Sequence, residues 1–176
     1  EREITPAGSE IFVERSYERL IPKEVEKTRT VFDREQRKNV TETYREIEYE
    51  RKPIAEGDLL ESGDLLEVVL SIDAKNNFEY LLFEDPKPAG CEPTELTSGY
   101  TWGGGVSGHR EFRDEKVAFF VTYLNQGDHE IRYRLRAEIP GEFHALPARG
   151  ECMYAPLVTG NSASRVITIH DAKPKQ

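Results

Sequence analysis

The segment Pro140–Pro156, PGEFHALPARGECMYAP, contains side chains that could do chemistry. A cysteine becomes a nucleophile when a nearby imidazole favours its thiolate, and His144 and Cys152 are close in sequence. However, Glu151 directly precedes Cys152, and a neighbouring carboxylate raises the pKa of a thiol. The segment also lacks any signal for an oxyanion hole or for a helix start beside the cysteine. We therefore predict that the protein is not an enzyme and has no catalytic residues.

Metal and phosphate sites are also disfavoured by residue spacing. Zinc needs three or four converging ligands, and no HxH, HExxH or CxxC arrangement occurs. The glycine-rich run Trp102–His109 is not followed by the Lys-Ser/Thr of a phosphate-binding loop. We expect no metal and no cofactor. The histidines, which occur singly, are His109, His129, His144 and His170.

Composition narrows the class of partner. The chain has 176 residues, with 33 acidic against 24 basic side chains and a net charge of −9. This balance argues against binding to nucleic acid or to an anionic membrane surface, both of which select basic faces. No apolar run approaches the length of a membrane span. The length predicts a single domain over residues 1–176, and the Glu-Arg-Glu start suggests a fragment or a processed chain.

Hydrophobic periodicity predicts an all-β protein. Apolar residues alternate with polar ones in Leu65–Ala74 and Phe78–Asp85, which a Lys-Asn-Asn turn joins. A second hairpin is predicted from Val117–Leu124 and His129–Pro140, where one face of the second arm is apolar and the other is charged. Several short strands separated by turns favour an antiparallel β-sandwich.

A charged excursion at residues 22–56 interrupts this pattern. Within it, Thr41–Tyr49 alternates well enough for a strand, whereas Thr28–Lys38 is compatible with a helical turn or an exposed ribbon. We expect a long, mobile excursion between two strands.

Two aromatic residues give an alternative function. Exposed aromatic rings stack on sugar faces, so Tyr100 and Trp102 could form the platform of a glycan-binding β-sandwich module. Their flanking residues instead favour a loop that packs back onto the sandwich.

Four segments together resemble the bacterial alpha-2-macroglobulin family. The third, which contains RDEKVAFF, the FHALP run and MYAP, is the most specific. The resemblance covers about the last two thirds of the chain. It implies a C-terminal macroglobulin-like domain, an antiparallel sandwich of immunoglobulin or fibronectin type. The segments are Gly63–Asp73, Glu79–Pro93, Phe112–Pro156 and Gly160–Ile169.

The resemblance also implies a function. Members of this family are similar to protease-trapping inhibitors, so the chain is expected to be a non-catalytic module that packs against other domains of the same large chain. In thioester-bearing members one such neighbour is the thioester domain. The thioester motif Cys-x-Glu-Gln is absent, since Cys91 precedes Glu-Pro-Thr and Cys152 precedes Met-Tyr-Ala. Target proteases would be engaged by the full-length protein, in the periplasm, at the cell surface or after secretion.

The family's implied interface lies in the loop after the FHALP run. Carried over by position, Glu151, Met153 and Tyr154 are expected to contact a neighbouring domain. The alternative is that Met153 and Tyr154 fill the core of their own domain. An extracytoplasmic location would permit a disulfide between Cys91 and Cys152, which would close a loop of roughly 60 residues and stabilise the fold by about 4 kcal/mol.

Overall fold

In the computed structural model, residues 4–33 and 37–172 are described, and they form fifteen β-strands and no helix. Short turns connect most of these strands. The strands are β1 (Ala7–Gly8), β2 (Ile11–Asp33), β3 (Lys38–Pro53), β4 (Leu59–Glu61), β5 (Leu65–Ala74), β6 (Phe78–Pro86), β7 (Cys91–Pro93), β8 (Gly99–Gly103), β9 (Val106–Phe112), β10 (Lys116–Leu124), β11 (Gly127–Ala137), β12 (Gly141–Ala145), β13 (Arg149–Cys152), β14 (Ala155–Asn161) and β15 (Arg165–His170).

The strands assemble into a β-sandwich. A seven-stranded sheet has the order β1-β14-β13-β6-β10-β9-β8, and a five-stranded sheet has the order β3-β2-β5-β11-β7. A third sheet, β12-β15-β4, contains the parallel pair β15–β4, and the other pairings are antiparallel. The predicted all-β, antiparallel sandwich class is therefore confirmed.

Alternation of apolar and polar side chains along the strands explains how the two larger sheets share one core. In β11 the side chains of Ile131, Tyr133 and Leu135 are buried, whereas those of Arg132 and Arg136 face solvent. Burying one face of each strand in this way removes apolar area from water, the main favourable contribution to folding. The seven-stranded sheet supplies the opposing apolar side chains, which include Leu81, Phe83, Val117, Phe119 and Val121.

The charged excursion forms a β-ribbon. Strands β2 and β3 pair from Glu18 and Pro53 at the base to Asp33 and Lys38 near the tip, while β2 pairs with β5 only as far as Leu20. Beyond Leu20 the ribbon is two-stranded and extends by about 43 Å, at roughly 3.3 Å per residue. The strand predicted at Thr41–Tyr49 lies within β3.

A buried glutamate fixes the base of this ribbon to the five-stranded sheet. Glu67 in β5 is only 4% exposed. It accepts hydrogen bonds from Arg51 Nε of β3 at 2.7 Å, from Arg132 Nη1 of β11 at 3.0 Å and from Arg134 Nε at 3.5 Å. Burial alone would raise the pKa of Glu67, but the hydrogen bonds and positive charges of Arg51 and Arg132 outweigh it and lower that pKa.

This shift predicts a dependence of stability on pH. Because the pKa of Glu67 is below its ordinary value of 4.5, its ionised form stabilises the fold above about pH 4.5, and that stabilisation is lost as the pH falls through the lowered pKa. We expect Glu67→Gln to destabilise the protein at pH 7, with a deficit that shrinks towards pH 3. Urea unfolding between pH 7 and pH 3 measures this deficit, with Glu56→Gln, a change at an exposed residue, as the control. A deficit that is independent of pH would contradict the assignment.

Candidate functional site

The candidate site is the turn between β13 and β14. Cys152 pairs with Ala155, so Met153 and Tyr154 form the two-residue connection. Met153 is 49% exposed and Tyr154 is 79% exposed. These side chains therefore do not fill the core of their own domain, which was the alternative considered for them. Leu157, in the part of β14 that bulges away from β13, is 92% exposed and extends the apolar surface.

Tyr80 on the neighbouring strand β6 supports this turn. Its carbonyl accepts a hydrogen bond from the Met153 N–H at 2.8 Å, and its ring meets the Tyr154 ring edge-on, with the centroids 5.3 Å apart. Tyr80 has a φ of 56°, in the left-handed region that non-glycine residues seldom adopt. The strand ladder skips it, pairing Leu81 with Val121 and Glu79 with Tyr123.

The irregularity at Tyr80 changes which face of β6 each side chain takes. Phe78 and Leu81 are both buried although they are three residues apart, whereas regular alternation would bury residues an even number apart. Sequence reasoning missed Tyr80 as part of the site. The spacing of Phe78 and Leu81 was the available signal, since two apolar residues three positions apart break the period of two expected of a regular strand.

Glu151 lies on the sheet rather than at the turn. It pairs with Leu82 of β6 and Thr159 of β14, is half-buried, and its carboxylate is 2.9 Å from Arg149 Nη2. The three residues expected at the interface thus occupy one short stretch, but only Met153 and Tyr154 project from its end.

The segment that leads into β13 is held by a buried ionic cluster. Arg15 of β2 donates to Asp85 Oδ1 at 2.6 Å and to the carbonyl oxygens of Leu146 at 2.7 Å and Ala145 at 3.1 Å. The Tyr133 hydroxyl donates to Asp85 Oδ2 at 2.7 Å. Burial raises the pKa of Asp85, an effect that Arg15 and the Tyr133 hydrogen bond oppose. The cluster joins both large sheets to the approach to the turn.

Close packing beneath β13 also positions the turn. Gly150 is buried, and a Cβ atom there would lie 2.6 Å from the Phe83 ring. Glycine at this position allows β13 to approach the core more closely than any other residue would.

The two cysteines do not form the disulfide considered from sequence. Both are buried, free thiols, with Cys91 in β7 of the five-stranded sheet and Cys152 in β13 of the seven-stranded sheet. The Cys152 Sγ donates instead to the Glu79 carbonyl at 3.3 Å. Burial raises the pKa of Cys91 to about 12, which disfavours its reactive thiolate.

The candidate catalytic pair, His144 and Cys152, is divided between two sheets. His144 lies in β12 of the third sheet, whereas Cys152 lies in the seven-stranded sheet. Within residues 4–33 and 37–172, no group of three or more His, Cys, Asp or Glu side chains is arranged to hold a metal ion. That same part of the chain includes no helix of a length and hydropathy suited to crossing a membrane.

The aromatic pair of the alternative hypothesis is exposed rather than packed. Tyr100 and Trp102 are 81% and 82% exposed on β8, at the edge of the seven-stranded sheet. The expectation that this segment packs back onto the sandwich is wrong for both rings. Among the described residues, the one ring that pairs with Tyr100 is His109, in an edge-on contact with the centroids 5.8 Å apart.

Solved structures of alpha-2-macroglobulins have a similar fold. The Salmonella protein reacted with methylamine superposes with a TM-score of 0.64 at 19% identity over 96% of this chain and 10% of its own. The trypsin-activated Escherichia coli protein gives a TM-score of 0.63 at 20% identity, over 95% of this chain and 11% of its own.

Sequence comparison identifies the family. Residues 25–156 match the family model described as the bacterial alpha-2-macroglobulin MG10 domain, a range that includes most of the ribbon and the β13–β14 turn. The Thermotoga maritima alpha-2-macroglobulin is 33% identical over 113 residues, and the Xylella fastidiosa protein is 30% identical over 136 residues. These matches cover 56% and 67% of this chain but only 7% and 8% of the relatives. The chain belongs to the bacterial alpha-2-macroglobulin family.

Proposed function

We propose that this chain is a non-catalytic module of a protease-trapping alpha-2-macroglobulin, and that it acts by packing against other domains of the same polypeptide. Residues 1–176 would form its C-terminal macroglobulin-like domain, and the parent protein would act outside the cytoplasm, in the periplasm, at the cell surface or after secretion. The thioester motif Cys-x-Glu-Gln does not occur in the chain, so its own contribution would be non-covalent. In a thioester-bearing parent, the thioester domain would be the neighbour that it contacts.

The exposure of Met153 and Tyr154 carries this proposal. A large aromatic ring and a flexible thioether at a solvent-facing turn leave apolar area in water unless another surface covers them. Aromatic residues and methionine are also enriched at the centres of protein–protein interfaces. A protease-trapping role for the parent is supported by the relatives, since the solved Escherichia coli proteins are described as activated by trypsin and by elastase.

Replacing Tyr154 with Ala tests the role of the turn. Because most of the ring is in solvent, the free energy of unfolding of the chain should fall by less than about 1 kcal/mol. The affinity of the chain for the neighbouring domain should fall by about tenfold if the ring is a central interface contact. In the full-length protein, the measurement is the fraction of added trypsin that is prevented from cleaving a large protein substrate, and this fraction should decrease.

Tyr44→Ala is the matched control, because Tyr44 is an exposed tyrosine on the ribbon, away from the turn. It should leave trypsin inhibition unchanged. Equal inhibition by the Tyr154→Ala and wild-type proteins would argue against the interface, and a large loss of stability would indicate that Tyr154 supports its own fold instead.

A further inference from the structure

The two outer faces of the sandwich differ in chemistry. The five-stranded sheet presents the ion-pair network around Glu67, in which Arg51, Arg132 and Glu18 also take part. The charged side chains of such a network can remain in contact with water. The seven-stranded sheet also carries ion pairs, such as Lys116 with Glu84, but in addition it presents aromatic side chains and a methionine with large exposed fractions, which are Tyr80, Tyr100, Trp102, Tyr123, Met153 and Tyr154.

Strand register connects Tyr100, one residue of this set, to the β13–β14 turn through a single row of paired residues. Tyr100 of β8 pairs with His109, which pairs with Phe120, which pairs in turn with Leu82 of β6. Leu82 pairs with Glu151 of β13, next to the β13–β14 turn. Paired residues of an antiparallel sheet share a face, so the row runs across the outer face from the β8 edge to the candidate site.

The β8 edge lacks the features that usually keep a strand edge from binding. Edge strands are commonly protected by charged side chains or proline, as β3 is by its many Lys, Arg and Glu residues. Leu96–Gly108, which contains β8, has no charged residue, although 32% of the chain is charged. Its two large rings, Tyr100 and Trp102, are two residues apart and therefore lie on the same side of the strand.

We propose that this outer face, from β8 to the β13–β14 turn, is a single docking surface for another folded domain of the same polypeptide. The proposal rests on the function proposed above and extends its contact area to Tyr100 and Trp102. Strands β8 and β13 are four strand spacings apart, about 19 Å, a distance that an interface of standard size covers. The relatives are more than ten times as long as their matched part, so the family places many further residues in the same polypeptide.

Hydroxyl-radical footprinting tests the surface, because it reports the solvent access of individual side chains. The isolated chain and the full-length protein are oxidised in parallel, and modification is quantified at Trp102, Tyr100, Met153 and Tyr154. Modification at all four should fall by about tenfold or more in the full-length protein if they lie in a buried interface centre. Trp102 is the only tryptophan among the 176 residues, so its oxidation products are unambiguous in the isolated chain, and in the full-length protein they are assigned from the peptide that contains Trp102. Phe32, exposed on the ribbon, is the internal control and should be modified equally in both samples.

The outcomes separate this inference from the function on which it rests. Protection of Met153 and Tyr154 without protection of Tyr100 and Trp102 would overturn the extended surface and leave the turn as the interface. If none of the four side chains is protected in the full-length protein, both the extended surface and the proposed interface at the turn would be overturned. Added cello- or chito-oligosaccharides could instead protect Trp102 in the isolated chain. If they do, and if Trp102 is not protected in the full-length protein, domain docking would be overturned in favour of a glycan site. Trp102→Arg should reduce protection of the turn in the full-length protein, whereas Phe32→Arg should not.

Discussion

Replacing Asp85 with Ala should lower the free energy of unfolding by about 3–5 kcal/mol, the usual result of removing one partner of a buried ion pair. The side chains of Arg15 and Asp85 are each about 1% exposed, so the guanidinium left behind would remain charged in a site shielded from water. The Tyr133 hydroxyl would lose its acceptor as well. Urea unfolding of the purified chain, followed by circular dichroism, measures the change.

Two further variants show whether the unpaired charge is the cause. Tyr133→Phe removes one hydrogen bond to Asp85 and leaves the ion pair intact, so it should cost about 1–2 kcal/mol. Combining Asp85→Leu with Arg15→Met removes both charges, and the double variant should be more stable than Asp85→Ala. If the double variant is as unstable as the single one, packing rather than charge dominates the site.

Phe83→Ala should destabilise the protein by a similar amount, about 3–5 kcal/mol, because it creates a cavity in the core. Phe83 is fully buried in β6, and its ring lies directly under Gly150 of β13. The loss should also loosen the strand that carries the candidate turn. Thermal or urea unfolding gives the stability, and hydrogen exchange at residues 149–154 should accelerate.

Phe32→Ala provides the matched comparison, since the same atoms are removed from a ring that is largely exposed on the ribbon. Its effect should stay within about 0.5 kcal/mol, as for most surface substitutions. Similar losses for the two variants would mean that the ribbon packs more tightly than its exposure indicates.

Much of the fold follows from local patterning. The strands β5, β6, β10 and β11 follow from apolar alternation around polar turns, because one buried face per strand makes a period of two visible in the sequence. Their predicted pairing into two hairpins is wrong. Strands β5 and β11 pair in the five-stranded sheet and β6 and β10 pair in the seven-stranded sheet, so each polar turn crosses from one sheet to the other, which local alternation does not distinguish from a hairpin. The ribbon was harder to predict. Beyond Leu20 no described side chain of the ribbon is fully buried, and few, such as Ile21, Val25 and Val31 of β2, are half-buried, so the alternation of burial is weak. Cross-strand ion pairs such as Lys27 with Glu46 take the place of a core.

The candidate site was only partly predictable. The resemblance placed Met153 and Tyr154 in a functional loop, but no local pattern separates a buried ring from an exposed one at a turn. The contribution of Tyr80 depends on a neighbouring strand distant in sequence, as does the clustering of Arg15 with Asp85, 70 residues away. Such contacts arise from tertiary pairing and are not encoded in any one segment.

The left-handed backbone of Tyr80 sets up a trade-off at one position. Glycine would adopt this conformation without the roughly 1–2 kcal/mol that an L side chain costs there, so Tyr80→Gly would relieve strain. The same change would delete the ring against which Tyr154 rests. Thermodynamic stability and surface shape therefore favour different residues at position 80, and a version of this module engineered for heat resistance alone would be expected to lose the proposed docking surface first.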